Sequence, residues 1–175
     1  MDITEALAPN SDQLDAVELV APRTFTIDTG SRPGVRDGKS VAEIKLVDFP
    51  RVWRPSKGML DVLAACWGTD AKAWVGRRVT LYCDPDVMFG KDKVGGVRIS
   101  HISHIDGART IHIRAAGAAG KKRDWRVDAL PSTTTAQIEA AATVEELRAL
   151  WPSADAEQQT LIRARVADLT PEVSE

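Results

Sequence analysis

The stretch Arg78-Val79-Thr80-Leu81-Tyr82-Cys83 decides the fold class, because apolar and polar side chains alternate along it. Successive side chains of a strand point to opposite faces, so every second residue from Val79 is expected to face a core. Residues 97–101 and 110–114 repeat this alternation further along the chain. Together the three segments predict antiparallel strands that share one core.

One helix is predicted before these strands. Apolar residues recur at positions i, i+3, i+4 and i+7 from Leu60 to Trp67, which places them on one side of a helix. Ser56 is a favourable N-cap, and Gly68 stands where a glycine often ends a helix. We therefore expect a helix over residues 57–67 that closes one end of the β structure.

The region before this helix is less regular. Residues 24–27 predict a strand, whereas residues 30–38 are rich in glycine and proline and predict a loop. Residues 41–49 fit either a strand or a helix that begins in a capping box at Ser40. Their β-branched residues, and the stop at Pro50, favour the strand.

Residues 121–127 predict the last strand, and the pattern then becomes helical. Ser153 is expected to cap the third of three helices in this part of the chain. The first two are predicted by capping boxes, in which each cap residue is followed three positions later by a glutamine or glutamate. These pairs are Thr134 with Gln137 and Thr143 with Glu146.

The elements predict a mainly β protein, α+β overall, in three parts. Residues 1–21 are expected to be a mobile acidic leader, residues 22–130 an OB-like small β-barrel with one helix, and residues 131–175 a helical module with an acidic end. The OB barrel places its helix between the third and fourth strands, which fits if residues 25–49 supply three strands. An SH3-like barrel or a small sandwich fits the same order.

Charge is distributed unevenly along the chain, although the net charge is only −2. Residues 1–20 contain five acidic and no basic side chains, and residues 131–175 contain eight acidic and three basic ones. Residues 21–130 carry 20 Lys and Arg against 12 Asp and Glu. The basic excess coincides with the predicted barrel, as expected for a domain that contacts a polyanion.

The chain carries features typical of a cytoplasmic protein. No apolar run approaches the roughly 20 residues that a helix needs to span a bilayer. The first residues are acidic, whereas a secretory signal begins with basic residues. Cys66 and Cys83 fit two buried, reduced thiols of a cytosolic protein, although two cysteines can also pair.

Several enzyme motifs are absent or incomplete. Lys39 and Ser40 resemble the end of a phosphate-binding loop, but Pro33 stands where the first glycine is required. His101 and His104 would lie on opposite faces of a strand, which is not a metal-binding arrangement. The sequence therefore predicts no catalytic residue, no metal site and no cofactor, and it favours a protein that is not an enzyme.

Basic and aromatic residues alternate in the predicted barrel, a combination suited to single-stranded nucleic acid. Cations follow the phosphates, while flat rings stack on bases without reading sequence. Trp53 lies among cations between two prolines, Tyr82 shares an outward strand face with Arg78, and Trp125 has basic neighbours on both sides. The candidate nucleic-acid-binding residues are Arg51, Trp53, Arg54, Lys57, Arg78, Tyr82, Phe89, Lys91, Arg98, Lys121, Lys122, Arg123, Trp125 and Arg126.

Not every aromatic residue belongs to this set. The helical pattern places Trp67 in the core, and Trp74 is expected to pack there as well. Trp53, Tyr82 and Trp125 fit a core about as well as they fit a binding surface. Their basic neighbours are what favours the binding surface.

Several motifs between Trp53 and Ile99 resemble a group of small bacteriophage proteins from replication and recombination neighbourhoods. The resemblance covers about a quarter to a third of the chain, and its residues are mainly structural. It implies an OB-like fold and a single-strand-binding role. The matching segments are Lys57-Gly58-Met59, Leu63-Ala64-Ala65, Trp67-Gly68, Trp74-Val75-Gly76-Arg77-Arg78-Val79-Thr80-Leu81-Tyr82, Val87-Met88-Phe89-Gly90 and Val94-Gly95-Gly96-Val97-Arg98-Ile99.

Two functions follow as expectations. The first is binding of single-stranded DNA, largely without sequence preference, in phage DNA replication or recombination in the cytoplasm of the infected host cell. The second is a phage protein-interaction role, as a virion adaptor or an inhibitor of a host factor, that uses the same barrel. Bacterial single-strand-binding proteins recruit partners through an acidic tail. The end of this chain is only mildly acidic, so the helical module of residues 132–175 is a better candidate than such a tail for contacts with replication or recombination proteins. An oligomer is compatible with both functions, and a membrane partner is not expected.

Overall fold

Ten strands and four α-helices make up the described part of the chain, which comprises residues 11–89, 91–114 and 122–170 of a computed structural model. The strands are β1 (Arg23–Thr26), β2 (Arg32–Arg36), β3 (Lys39–Lys45), β4 (Val52–Trp53), β5 (Arg78–Asp84), β6 (Met88–Phe89), β7 (Asp92–Lys93), β8 (Gly96–Ile102), β9 (Arg109–Arg114) and β10 (Lys122–Ala129). The helices are α1 (Lys57–Trp67), α2 (Thr135–Ala140), α3 (Val144–Leu150) and α4 (Ala156–Leu169). The chain divides into two units, Met1–Ala129 and Leu130–Glu175.

The core of the first unit is built on a five-stranded sheet with the order β1-β5-β8-β10-β9. Neighbouring strands are antiparallel except for β8 and β10, which are parallel. Val79 lies opposite Ile102 and Leu81 lies opposite Ile99, and all four side chains are buried. The strands predicted from the alternating pattern are therefore confirmed, together with their shared core.

Residues 32–36 form β2 and not the loop expected from their glycine and proline content. β2 pairs with β3 across a two-residue turn at Asp37 and Gly38, whose φ angles are +49° and +71°. Two positive φ angles are typical of the hairpin turn that matches the twist of paired strands. β2 is an edge strand of the sheet β2-β3-β4, where Pro33 is tolerated. β3 confirms the strand predicted for the region 41–49, whose sequence also fitted a helix.

α1 spans the predicted residues, and Gly68 follows it with a φ of +84°. The helix packs on β9, and a Cβ atom at Gly58 would lie 3.1 Å from Ile113 Cδ1 and 3.2 Å from the carbonyl oxygen of Arg114. In chain order, the strands of the five-stranded sheet are β1, β5, β8, β9 and β10, and α1 comes between the first two of them. The expected order placed the helix between the third and fourth strands. The difference arises because β2, β3 and β4 form a separate sheet.

Trp67 and Trp74 are buried, as predicted, and each indole N–H has a partner. Trp67 Nε1 donates to the carbonyl oxygen of Ser103 at 2.7 Å, and Trp74 Nε1 donates to that of Gly68 at 3.0 Å. The two ring centroids lie 6.3 Å apart. These contacts join the end of α1 to the main chain that follows β8.

Residues 11–21 are packed onto the first unit, so the expectation of a mobile leader is wrong for this part. Leu14 and Leu19 are buried, and a short 3-10 turn, Ala16–Glu18, lies between them. The Leu14 N–H donates to the carbonyl oxygen of Val52 at 2.8 Å. The segment stays in place because its two leucines help to cover the core. Residues 1–10 lie outside the described residues.

Carboxylates from the leader and from β3 neutralise two of the candidate DNA-binding arginines. Arg54 donates to Asp12 at 2.7 and 2.8 Å and to Glu43 at 2.6 Å, while Arg51 pairs with Glu18. The hydrogen bonds from Arg54 hold the pKa of Asp12 and that of Glu43 below their usual values. Burial acts to raise the pKa of Glu18, but hydrogen bonding, chiefly from Arg51, outweighs it and the net shift is downward.

Acidification is therefore expected to destabilise the protein. The folded forms of Asp12, Glu18 and Glu43 have lowered pKa values, so their stabilising effect is complete above the unfolded pKa values and is lost as the pH falls through the lowered ones. The urea midpoint should fall most steeply below about pH 4.5. Glu43→Gln should make this dependence shallower, and an unchanged pH profile in that variant would contradict the assignment.

The unit Leu130–Glu175 contains α2, α3 and α4 around a small apolar core. Both predicted capping boxes are confirmed at the starts of α2 and α3. Ser153 does not cap α4, and its hydroxyl donates to the carbonyl oxygen of Leu150 at 3.1 Å. Asp155 caps α4 instead and forms a third capping box with Gln158. The buried residues of this core are Ile138, Ala141, Leu147, Ala154 and Ile162.

The described residues have a mixed α+β fold with a mostly β core, as predicted. The sheets formed by these residues do not join into a closed barrel. Cys66 and Cys83 are free thiols, and burial raises the pKa of Cys66. Within the described ranges, no helix combines the length and the apolar character that crossing a membrane requires.

Candidate nucleic-acid interface

Three neighbouring strands bring together two rings and two guanidinium groups. Tyr82 on β5 lies opposite Arg98 on β8, and the Arg98 Cζ atom is 5.8 Å from the centroid of the Trp125 ring on β10. Arg123, also on β10, places its Cζ atom 4.7 Å from the same centroid. We call these four residues the aromatic–arginine cluster.

Trp125 fills a position where β8 and β10 separate. The two strands pair at His101 and Ile102, but the carbonyl oxygen of Ile99 accepts its hydrogen bond from Trp125 Nε1 at 3.0 Å. This bond orients the indole, and the ring remains partly exposed. An oriented and partly exposed ring is suited to stacking, because it loses little conformational freedom when a base binds.

Arg98 is the most buried member of the cluster, with 8% of its surface exposed. Its Nη1 donates to Ser56 Oγ at 2.9 Å. Its Nε lies 3.7 Å from Asp84 Oδ2 and has no hydrogen-bond partner in the part of the chain that the structure describes. Burial is the main cause of a lowered pKa at Arg98, and the positive charge of Arg123 adds to it, while Asp84 opposes both. The charge of Arg123 thus acts on Arg98, while Asp84 lies beside Arg98. Two like charges near each other favour binding of a further anion.

Tyr82 contributes a neutral, partly exposed ring to the cluster. Burial raises the pKa of its hydroxyl, with a further contribution from Asp84, while Arg98 and Arg123 act in the opposite direction. The hydroxyl therefore stays protonated at physiological pH and can donate a hydrogen bond. Its ring and the cations beside it offer the two kinds of contact that single-strand binding requires.

Two predicted binding residues are buried, and the outward positions expected for them are wrong. Trp53 is 1% exposed, because β4 pairs with β3 and sets the ring opposite Ile44 in the core. Arg78 is 8% exposed, although it lies on the expected strand. Its main chain exchanges hydrogen bonds with Ser103, whose N–H donates to the Arg78 carbonyl oxygen at 2.9 Å and whose hydroxyl accepts from the Arg78 N–H at 2.8 Å.

Other predicted residues are ion-paired or lie apart from the cluster. Arg51 and Arg54 are engaged by the carboxylates already described, and Arg126 pairs with Asp128 at 2.7 Å. Lys91 is exposed between the short strands β6 and β7. The side chain of Phe89 and the whole of Lys121 lie outside the described residues.

Lys57 and Lys122 are exposed cations close in sequence to the cluster. Lys57 directly follows Ser56, the residue that accepts a hydrogen bond from Arg98, and Lys122 directly precedes Arg123. Both therefore extend the basic character of the cluster along the chain.

Sequence reasoning missed Ser56 and Asp84 as members of the site. Ser56 was expected to cap α1, but its side chain makes no capping hydrogen bond and its hydroxyl is held by Arg98. Asp84 is the last residue of β5 and belongs to no motif that marks a binding site. No local signal distinguishes these roles, since both depend on the pairing of distant strands.

The described residues contain no group of three or more His, Cys, Asp or Glu side chains that could hold a metal ion. No protein-family model, curated protein or solved structure matches the chain. The aromatic–arginine cluster is therefore the feature that bears most directly on function.

Proposed function

We propose that this protein binds single-stranded DNA, largely without sequence preference, in phage DNA replication or recombination in the cytoplasm of an infected host cell. The observation that carries the proposal is the aromatic–arginine cluster, in which two partly exposed rings lie beside two guanidinium groups and one carboxylate, Asp84, lies 3.7 Å from Arg98. The phage setting is supported by the resemblance of residues 53–99 alone.

The position of the cluster supports an OB-like role. Counted along the chain, the strands of the five-stranded sheet have the spatial order first, second, third, fifth, fourth, with the third and fifth parallel. This order is compatible with a Greek-key barrel of the OB type, in which oligonucleotides bind on the second and third strands and on the loops between the first and second and between the fourth and fifth strands. Tyr82 and Arg98 lie on the second and third strands, and Arg123 lies near the start of the fifth.

Salt dependence tests the proposal. Affinity for a labelled oligo-dT should fall with rising salt by about 0.7 logarithmic units per phosphate contact, and a duplex of equal length should bind more weakly. Arg123→Gln should lower the slope by about one contact. Arg126→Gln is the matched control, because it removes the same charge from the same strand but from a residue paired with Asp128.

Two results of the salt titration would contradict the proposal. Binding that does not change with salt, or equal slopes for Arg123→Gln and the wild type, would contradict phosphate contact at the cluster. Either result would favour the second function, a phage adaptor or inhibitor of a host factor that presents Tyr82 and Trp125 to a protein.

A further inference from the structure

An apolar groove lies within the unit Leu130–Glu175. Its volume is about 420 Å³, which is in the range of small-ligand and peptide-anchor pockets. Three apolar residues line it, and two arginines complete its wall. The lining residues are Arg148, Trp151, Ile162, Arg163 and Val166.

The groove is lined by basic side chains, although the part of the chain that contains it is mainly acidic. Residues 131–175 carry eight acidic side chains and only three basic ones, yet two of those three basic residues line the groove. Arg148 and Arg163 are both exposed, and the Arg163 Cζ atom lies 5.1 Å from the centroid of the Trp151 ring. The groove is therefore an apolar surface that carries two of the three basic side chains of residues 131–175.

We propose that this groove binds a short acidic peptide segment of a partner protein, with an apolar side chain inserted between Trp151 and Val166 and carboxylates bound to Arg148 and Arg163. The apolar lining favours an aliphatic or aromatic anchor, because burial removes both surfaces from water. Guanidinium groups bind carboxylates through paired, charge-assisted hydrogen bonds. Charge complementarity thus selects an acidic sequence around the anchor.

A nucleic acid fits this groove less well. The lining of the groove contains a single aromatic ring, that of Trp151, whereas single-strand binding uses several rings on which successive bases stack. A long polyanion would also extend beyond the two arginines and meet the acidic side chains of the unit, whereas screening over about 10 Å lets a short peptide interact mainly with the nearest charges. The groove and the aromatic–arginine cluster are therefore assigned to different ligands.

Fluorescence anisotropy on the full chain tests the assignment. The probe is a labelled hexapeptide of three aspartates followed by glycine, leucine and phenylalanine, titrated at about 0.1 M salt, where charges are screened over about 10 Å. The double variant Arg148→Gln, Arg163→Gln should raise the Kd about tenfold, and Val166→Asp should raise it further. Arg165→Gln is the matched control, because Arg165 lies on the same helix but does not line the groove.

Two peptide controls use the wild-type protein, so they hold even if a variant fails to fold. Replacing the aspartates with lysines, or the leucine and phenylalanine with serines, should abolish measurable binding. Equal binding of either control, or no saturation by the acidic probe at about 1 mM, would overturn the proposal. It would also be overturned if the double variant, verified by thermal melting, bound the peptide normally but lost affinity for oligo-dT.

Discussion

Replacing Trp53 with alanine is expected to lower the free energy of unfolding by about 3–5 kcal/mol and to leave the single-strand affinity of the folded protein unchanged. The ring is 1% exposed and lies opposite Ile44 in the β3–β4 pair. Its removal leaves a cavity in the core of the first unit, because the surrounding strands cannot collapse fully into the space. Urea unfolding followed by circular dichroism measures the loss.

Trp53→Phe provides the matched comparison. The Trp53 Nε1 atom is buried without a hydrogen-bond partner among the described residues, and such a donor costs about 1–3 kcal/mol. Phenylalanine retains an aromatic ring and removes this donor, so it should destabilise the protein by less than half as much as alanine. A Trp53→Ala protein that is as stable as the wild type but binds oligo-dT more weakly would return this ring to the binding surface.

Trp125→Ala is expected to weaken single-strand binding by about 1–3 kcal/mol, or about 5- to 150-fold in Kd. The ring is partly exposed and lies beside Arg98 and Arg123, so its loss removes a stacking surface next to two cations. Stability is lost too, because the carbonyl oxygen of Ile99 loses a hydrogen bond worth about 1 kcal/mol and the core loses a ring that packs against it. Anisotropy titrations and thermal melts of the same samples separate the two effects.

Trp125→Phe distinguishes stacking from the hydrogen bond. Phenylalanine keeps a ring at this position but lacks the N–H that donates to Ile99. We expect it to lose less stability than the alanine variant, because a ring still packs against the core, and to retain most of the affinity for oligo-dT. Full affinity in both variants would exclude Trp125 as a stacking surface.

The local elements could be predicted where one pattern repeats over several residues. The alternation from Arg78 to Cys83 and the helical spacing from Leu60 to Trp67 both reflect burial of one face, which any fold of this chain must satisfy. β2 was missed because Pro33 and its neighbouring glycines are typical of loops. The short turn at Asp37 and Gly38 and the edge position of β2 make a strand compatible with them.

The candidate site could be predicted only in part, because its contacts join distant parts of the chain. The cations beside Trp53 suggested a binding surface, but the partners of Arg51 and Arg54 include Glu18 and Asp12, which lie more than 30 residues earlier. The same limitation applies to Arg98 and its contact with β10. A run of basic residues in a sequence therefore does not identify a nucleic-acid-binding surface until the carboxylates that form ion pairs with them are known.

The strand order of the five-stranded sheet also bears on how fast the chain can fold. Arg23 on β1 lies opposite Leu81 on β5. The chain between them contains the sheet β2-β3-β4 and α1, and its two ends must come together before β1 and β5 can pair. Closing a loop of this length lowers the entropy of the chain before the contacts between the two strands can form. Folding rates therefore fall as the mean sequence separation of contacts rises. The β2–β3 hairpin and α1 need no such closure, so they can form early, and pairing of β1 with β5 belongs to the slow step. Until that step, the edge of β5 remains open to pairing with other chains.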